Sequence, residues 1–250
     1  MTPLIQSLSF ALAAALANVI GGLIVVSNKW ARKSLRYFIA LGSGFMLGTV
    51  FLEMVPESMA LTKGAPMLVL LGYVIVHIFE HTFASHLHFG EEIHHDEVTN
   101  PVVGISALVG MLVHTFFDGV AIGAGFLVSN SVGVLIFLAV LLHKIPDGFT
   151  ISSIAITSGR SSRGALAAAT SLGVSTLVGV LAVHAIGGSV SYALPISTGS
   201  TLYVAATDLM PEVNREKGVK MAFVVFAGMG LFLLVRMVAE GGSAGLIRGQ

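Results

Sequence analysis

This sequence predicts an all-α integral membrane protein: eight transmembrane helices arranged as a 3+2+3 inverted repeat. Three observations carry that prediction. The 250 residues are 55% hydrophobic and only 10% charged, against about 25% charged in soluble domains, and the mean hydropathy is +0.90. Apolar runs long enough to cross a bilayer, roughly 20 residues each, recur eight times. The polar residues inside those runs come in paired motifs. His114-Thr115-Phe116-Phe117-Asp118-Gly119 and His143-Lys144-Ile145-Pro146-Asp147-Gly148 share H-x-x-x-D-G; Glu53-Met54-Val55-Pro56-Glu57 and Asp208-Leu209-Met210-Pro211-Glu212 share acid-x-x-Pro-acid.

The eight segments fall at about 4–27, 35–59, 65–88, 101–127, 132–157, 164–188, 192–212 and 218–239, forming one transmembrane domain over 1–250. Of the 29 glycines, some stand at small-x-x-x-small spacings, as in Gly119 with Gly123 and Ala40 with Gly44, where they let helix backbones approach closely. The start of the chain has neither the basic lead nor the small-residue cleavage site of a secretory signal, so the first apolar run is expected to be retained. With no cysteine, disulfides and thiolate metal sites are excluded. The formal net charge of zero says nothing about partners; the bilayer is the partner that the composition names, and no nucleic-acid contact is expected.

Orientation follows from the basic residues. With the N-terminus outside, the inner segments hold Lys29, Arg32, Lys33, Arg36, Arg160, Arg163, Arg215, Lys217 and Lys220, nine in all, against Lys63, Arg236 and Arg248 outside. The positive-inside bias then predicts that both termini are non-cytoplasmic. A plasma membrane or a bacterial inner membrane is the expected location.

The motifs are read from their spacing. Residues four apart share a helix face, so helix 4 presents His114 with Asp118 and helix 5 presents His143 with Asp147. Two such faces turned together would offer two imidazoles and two carboxylates, a ligand set for a borderline divalent ion such as zinc. The competing reading, polar residues that only cross-link helices, leaves four costly intramembrane groups at matched depth without a reason. Helices 2 and 7 run in opposite directions, as do 4 and 5, so the paired motifs mark an inverted repeat of helices 1–3 against 6–8 around a central pair. Pro56, Pro146 and Pro211 are each expected to remove a backbone hydrogen bond and to kink their helices beside the polar residues.

Helix 3 leads into a loop, about 86–100, that the topology makes cytoplasmic. Six of the nine histidines lie between His77 and His95. His86, His88, His94 and His95 are candidates for loose metal capture; a solvated polar loop is the plainer alternative. His77-Ile78-Phe79-Glu80-His81 also matches H-x-x-E-H, which raises an intramembrane metallopeptidase. That reading leaves the repeated motifs unexplained. A proton- or sodium-coupled carrier of an organic substrate, with the acids as a relay, is the other alternative. Against it, paired His–Asp faces are more than a relay needs, and no aromatic substrate pocket is legible.

The two H-x-x-x-D-G stretches resemble the helix 4 and helix 5 signatures of the ZIP (Zrt/Irt-like) divalent metal transporters, typically H-N-x-x-E-G and H-E-x-P-H/E-E. The resemblance takes in nearly the whole chain: eight helices, outward termini, a His-rich loop between helices 3 and 4, and the acid-Pro motifs of helices 2 and 7. It implies a transporter moving Zn²⁺, or a similar ion such as Fe²⁺, Mn²⁺ or Cd²⁺, into the cytoplasm by alternating access, with helices 1, 4, 5 and 6 moving against 2, 3, 7 and 8. It also implies a homodimer, no enzymatic chemistry, and metal as substrate rather than cofactor.

Carried over residue by residue, the primary metal site would comprise His114, Asp118, His143 and Asp147. Met46 falls where the family often has a further ligand, and its alternative is plain packing. Glu53 would line the outer entrance, seven residues after Met46 on the same face. Glu57, Asp208 and Glu212 would serve at entrance or exit, or merely as solvated caps. The departures concern a second, adjacent metal site. The family places Asn, an acid and a helix 6 acid there; this chain has Thr115, Lys144 and Thr176. The Lys144 ammonium could stand in for the second ion as a tethered cation paired with Asp118 or Asp147, giving a mononuclear site in a lysine-bearing branch of the family. His184 on helix 6 is a further candidate ligand, against the reading of a lone hydrogen-bonded histidine.

Overall fold

In hydrocarbon a helix satisfies every backbone N–H and C=O within its own segment, so long apolar runs fold as helices. The computed structural model describes residues 2–27, 32–83, 101–186, 189–214 and 219–247. They form eight rods. Six are simple helices: α1 Pro3–Ser27, α3 Ala65–Phe83, α4 Pro101–Val128, α5 Asn130–Thr157, α6 Ser162–Ala185 and α8 Lys220–Ile247. Two are composite: α2 runs Arg32–Thr49, a π turn Val50–Met54, then Val55–Leu61, and α7 runs Val190–Tyr203, a π turn Val204–Leu209, then Met210–Asn214. No strand occurs among the described residues. Six of the rods are long and apolar enough to cross a membrane; the apolar part of α3, Ala65–Glu80, is shorter.

Polarity is distributed for lipid rather than water. Leu12 and Leu16 on α1, Val174 and Val178 on α6, and Phe223 and Phe226 on α8 are exposed, whereas His114, Asp118, His143, Lys144 and Asp147 are buried. The chain is thus an integral membrane protein with these five polar groups inside. Turn chemistry joins α5 to α6: Gly159 takes φ 81, a conformation that glycine adopts without strain, and the Ser161 hydroxyl accepts from the Gly164 N–H at 3.2 Å. Helix α8 continues to Ile247, eight residues beyond the expected end near 239. The expected end of helix 3 and the His-rich loop, with His86, His88, His94 and His95, lie outside the described residues.

Helices α1, α4, α5 and α6 pack on one another, and α2 packs on α8, α3 on α7 and α2 on α7; contacts of α4 with α7 and of α2 with α5 join the groups. Exchanging α1 with α6, α2 with α7, α3 with α8 and α4 with α5 maps these contacts onto themselves. Glycines hold the register of that exchange. Gly21 of α1 sits against the Ile145 carbonyl and Gly148 of α5 against the Asn18 carbonyl; likewise Gly179 of α6 meets Phe116 and Gly119 of α4 meets Thr176. In the other pair, Gly44 meets Val225 and Gly228 meets Leu41, as Gly199 meets Val69 and Gly72 meets Ile196. A Cβ at any of these eight positions would run into the facing backbone, so the final Gly of each H-x-x-x-D-G motif is the contact that seats its helix.

The three prolines stand in two different settings. Pro146 lies inside the uninterrupted helix α5. Pro56 and Pro211 each follow a π turn by two residues. The wider turn, with the Val55 N–H bonded back to Val50 and the Met210 N–H back to Ala205, takes up the local misfit inside a continuing rod. Single π turns occur frequently at functional sites. Here each carries its motif's first acid, Glu53 or Asp208.

Candidate metal site

On α4 and α5 the four-residue spacing puts each imidazole over its own carboxylate, and the glycine contacts turn the two faces together. The ligand atoms of His114, Asp118, His143 and Asp147 all lie within 4.8 Å of one another, and all four residues are buried. His114 Nε2 is 3.3 Å from Asp118 Oδ2 and 3.3 Å from Asp147 Oδ2. His143 Nε2 is 3.3 Å from Asp118 Oδ2 and 3.9 Å from Asp147 Oδ2. The two rings are tilted, with centroids 5.8 Å apart.

Hydrogen bonding orients one ring. His143 Nδ1 lies 2.9 Å from the Ala139 carbonyl, which can only accept, so Nδ1 carries the proton. In the neutral ring Nε2 then holds a lone pair facing a carboxylate oxygen that is also an acceptor. Two acceptors 3.3 Å apart in a buried site require a cation between them, a proton or a metal. His114 Nε2 is fully buried and within ion-pair distance of both carboxylates at once. A buried ligand nitrogen converging with two carboxylate oxygens has the chemistry of a metal ligand set.

Lys144 is the fifth member. Its ammonium, 0% exposed, donates to Asp118 Oδ2 and, at 3.0 Å, to Asp147 Oδ2. One positive charge therefore bridges the two carboxylate oxygens that the histidines face. Thr115 and Thr176 spend their hydroxyl protons on their own helices, on the carbonyls of Leu112 at 3.1 Å and Leu172 at 3.2 Å.

The other predicted residues are spread along the bundle. Met46 is fully buried in an apolar cluster with Ala139, Val204 and Leu209. Glu53 is buried with Oε2 3.3 Å from Arg236 Nε. Glu57 is half-buried. Glu212 lies in Met210–Asn214; its side chain is outside the described residues. His184 faces α1, with Nε2 3.1 Å from the Ser7 hydroxyl, away from the four ligands. Asp208 is buried and stands with Glu80 and His114 in a second group whose ligand atoms lie within 4.8 Å of one another. Its Oδ2 has no hydrogen-bond partner among the described residues. His114 thus belongs to both groups.

Sequence reasoning missed Glu80 in this role, since it appears there only inside H-x-x-E-H, and it counted Arg236 only as a topogenic charge. The repeat register would have found both. Glu80 follows Gly72 by eight residues and Arg236 follows Gly228 by eight, so they occupy equivalent places on α3 and α8, one beside each acid-Pro motif.

A family model for the ZIP zinc transporters matches residues 90–236. Zinc transporter ZIP13 of Pongo abelii is 24% identical over 231 residues, covering 82% of this chain and 68% of that protein. Zinc transporter zipt-7.2 of Caenorhabditis elegans is 28% identical over 152 residues, covering 56% of this chain and 33% of the relative. Zinc transporter SLC39A7 of Homo sapiens is 32% identical over 151 residues, 54% of this chain and 31% of the relative. The chain therefore spans about a third of the length of the last two. These relatives are named as transporters, not enzymes. With the match covering more than half of its 250 residues, the chain belongs to the ZIP zinc transporter family.

Proposed function

We propose that this protein carries a divalent transition metal, zinc foremost, across its membrane toward the cytoplasm, through a site made of His114 and Asp118 of α4 with His143 and Asp147 of α5. The observation that carries the reading is the convergence of four buried ligand atoms, with His114 Nε2 3.3 Å from one oxygen of each aspartate. An ion entering there exchanges its water shell for two imidazole nitrogens and two carboxylate oxygens. The ligand types favour zinc and its neighbours over magnesium and calcium, and the names of the relatives support zinc first.

Lys144, bridging both aspartates, supports a mononuclear site in which the ammonium occupies the place of a second cation. Glu53 serves the outer entrance in this reading, and Asp208, now with Glu80, the cytoplasmic exit; His114, common to both groups, hands the ion on. The close mutual packing of α1, α4, α5 and α6 supports their moving as one body against α2, α3, α7 and α8. A homodimer in a plasma or bacterial inner membrane, termini outward, completes the proposal; native mass spectrometry in detergent reports the stoichiometry.

The test is uptake of radioactive zinc into proteoliposomes by the wild type and by Asp118→Ala. Saturable uptake that is lost in the variant is the expected result. Binding without uptake would turn the reading to a metal sensor or a different metal; neither binding nor uptake would favour a carrier of an organic substrate.

A further inference from the structure

A groove of about 720 Å³ opens between α4 and α6, lined by Leu112 of α4 and by α6 from Arg163 to Ser175. Those twelve steps along α6, at a rise of 1.5 Å each, make it about 18 Å long. One leaflet contributes about 15 Å to a hydrocarbon core of about 30 Å. The groove is therefore as long as the acyl layer of one leaflet is deep.

Its walls suit hydrocarbon. Ala167 and Val174 are exposed there, and each hydroxyl that lines it donates to a backbone carbonyl. Thr170 donates to Leu166 at 2.8 Å and Ser171 to Ala168 at 2.7 Å, while Ser175 of α6 donates to Leu112 of α4 at 2.7 Å. A polar ligand finds few unspent donors in such a wall, and an acyl chain needs none. One end differs. Arg163 stands exposed in the first turn of α6, and Arg160 stands exposed in the turn before it. No acidic residue occurs between Asp147 and Asp208, so this stretch of chain brings positive charge alone. By the orientation proposed above, that end is cytoplasmic, on the side of the leaflet that carries anionic lipid.

We infer that the α4–α6 groove binds one anionic phospholipid of the inner leaflet, with an acyl chain laid along Ala167 and Val174 and the phosphate paired with Arg163. An arginine presents two parallel N–H donors to a phosphate, and Arg160 adds a second positive charge at the same level. The deep end of the groove reaches Leu112, where the Ser175 hydroxyl ties its two walls together, two residues before His114. The lipid thus braces α4 against α6 within the group of helices that carries the metal ligands. The proposal takes only its leaflet from the transport reading; the binding itself stands or falls without it.

The experiment uses the full chain, purified in detergent and offered equal amounts of phosphatidylglycerol and phosphatidylcholine with matched acyl chains, with the retained lipid read by native mass spectrometry. The wild type is expected to keep one lipid per chain and to prefer phosphatidylglycerol by at least about tenfold. Arg163→Gln should lower that preference by about fivefold, the weight of one basic side chain at an anionic interface, and Arg163→Lys should retain most of it. Ala167→Trp, which fills the groove and leaves both arginines in place, should lose the retained lipid. Lys220→Gln, at an exposed basic residue of α8, is the control and should behave as the wild type. Phosphatidylglycerol should also raise the melting temperature of the wild type and not that of Ala167→Trp, as a ligand of the folded state does. A wild type without headgroup preference would overturn the inference, as would a preference that survives both Arg163→Gln and Ala167→Trp. If Ala167→Trp instead turns dimers into monomers with the lipid preference intact, a second copy of the chain covers the groove and the inference is equally overturned.

Discussion

His143 donates its Nδ1–H to the carbonyl of Ala139, one helical turn earlier, at 2.9 Å. That bond chooses the tautomer and aims the Nε2 lone pair at the two aspartates, as the outer partner of a metal-bound histidine commonly does. A proton and a metal ion compete for the same lone pair, so affinity must fall as pH falls. Isothermal titration with Zn²⁺ at pH 7.5 and 5.5 should show at least about a tenfold weakening, since free imidazole titrates near pH 6.5 and one unit of protonation costs one decade. A flat curve over that interval would remove the imidazoles from the ligand set.

Lys144 pairs one positive charge with two carboxylates from a position with no solvent contact. Deleting one side of a buried ion pair commonly costs about 3–5 kcal/mol, because the remaining charge is left uncompensated. Lys144→Met should therefore lower the melting temperature of the metal-free protein in detergent markedly. Zn²⁺ should restore stability by occupying the vacated place, with two ions per chain instead of one. A variant that melts like the wild type without metal and binds a single ion would mean that Lys144 is not the surrogate cation.

Much of this architecture was legible because it rests on short-range periodicities. Apolar run length marks the helices, and the four-residue spacing of His114 with Asp118 and of His143 with Asp147 states which groups share a face. The paired motifs announced the repeat. What stayed hidden depends on partners far along the chain: Arg236 and the Leu52 carbonyl are 184 residues apart, and nothing local to either announces the other. A proline's missing N–H is a local fact that the sequence states, whereas the π turn beside Pro56 and Pro211 is set by packing. Glu80 was obscured by a histidine-rich neighbourhood that suggested a different motif. Counting from the paired glycines is the one route by which the sequence leads to it.

Gly119 and Gly148 seat α4 against α6 and α5 against α1, where any Cβ meets backbone of the facing helix. Backbone cannot yield as a side-chain tip can, so Gly148→Ala or Gly119→Ala forces the helices apart, at about 1–3 kcal/mol. It also shifts the aspartate that immediately precedes it. Gly230 on α8 is the control, since a Cβ there meets nothing within 4 Å. Thermal melts should show Gly148→Ala and Gly119→Ala destabilised with weakened Zn²⁺ binding, and Gly230→Ala unchanged or slightly stabilised. Equal melts for all three would show that close approach of the backbones is not what holds the site.

Asp208 shares a group with Glu80 and His114, so on the proposed route an ion leaving the four-ligand site would change partners without letting go of His114. Asp208→Asn keeps the shape and removes the charge that draws the ion away. Equilibrium binding at His114, Asp118, His143 and Asp147 should be little altered, because none of these four residues is changed. The maximal uptake rate should fall by about tenfold, equivalent to about 1.4 kcal/mol on the limiting step. Glu80→Gln should act in the same direction, and the double variant should lose less than the sum of the two, as expected of residues serving one step. Single variants with wild-type maximal rates would reduce Asp208 and Glu80 to helix-end polar groups and require another way out for the ion.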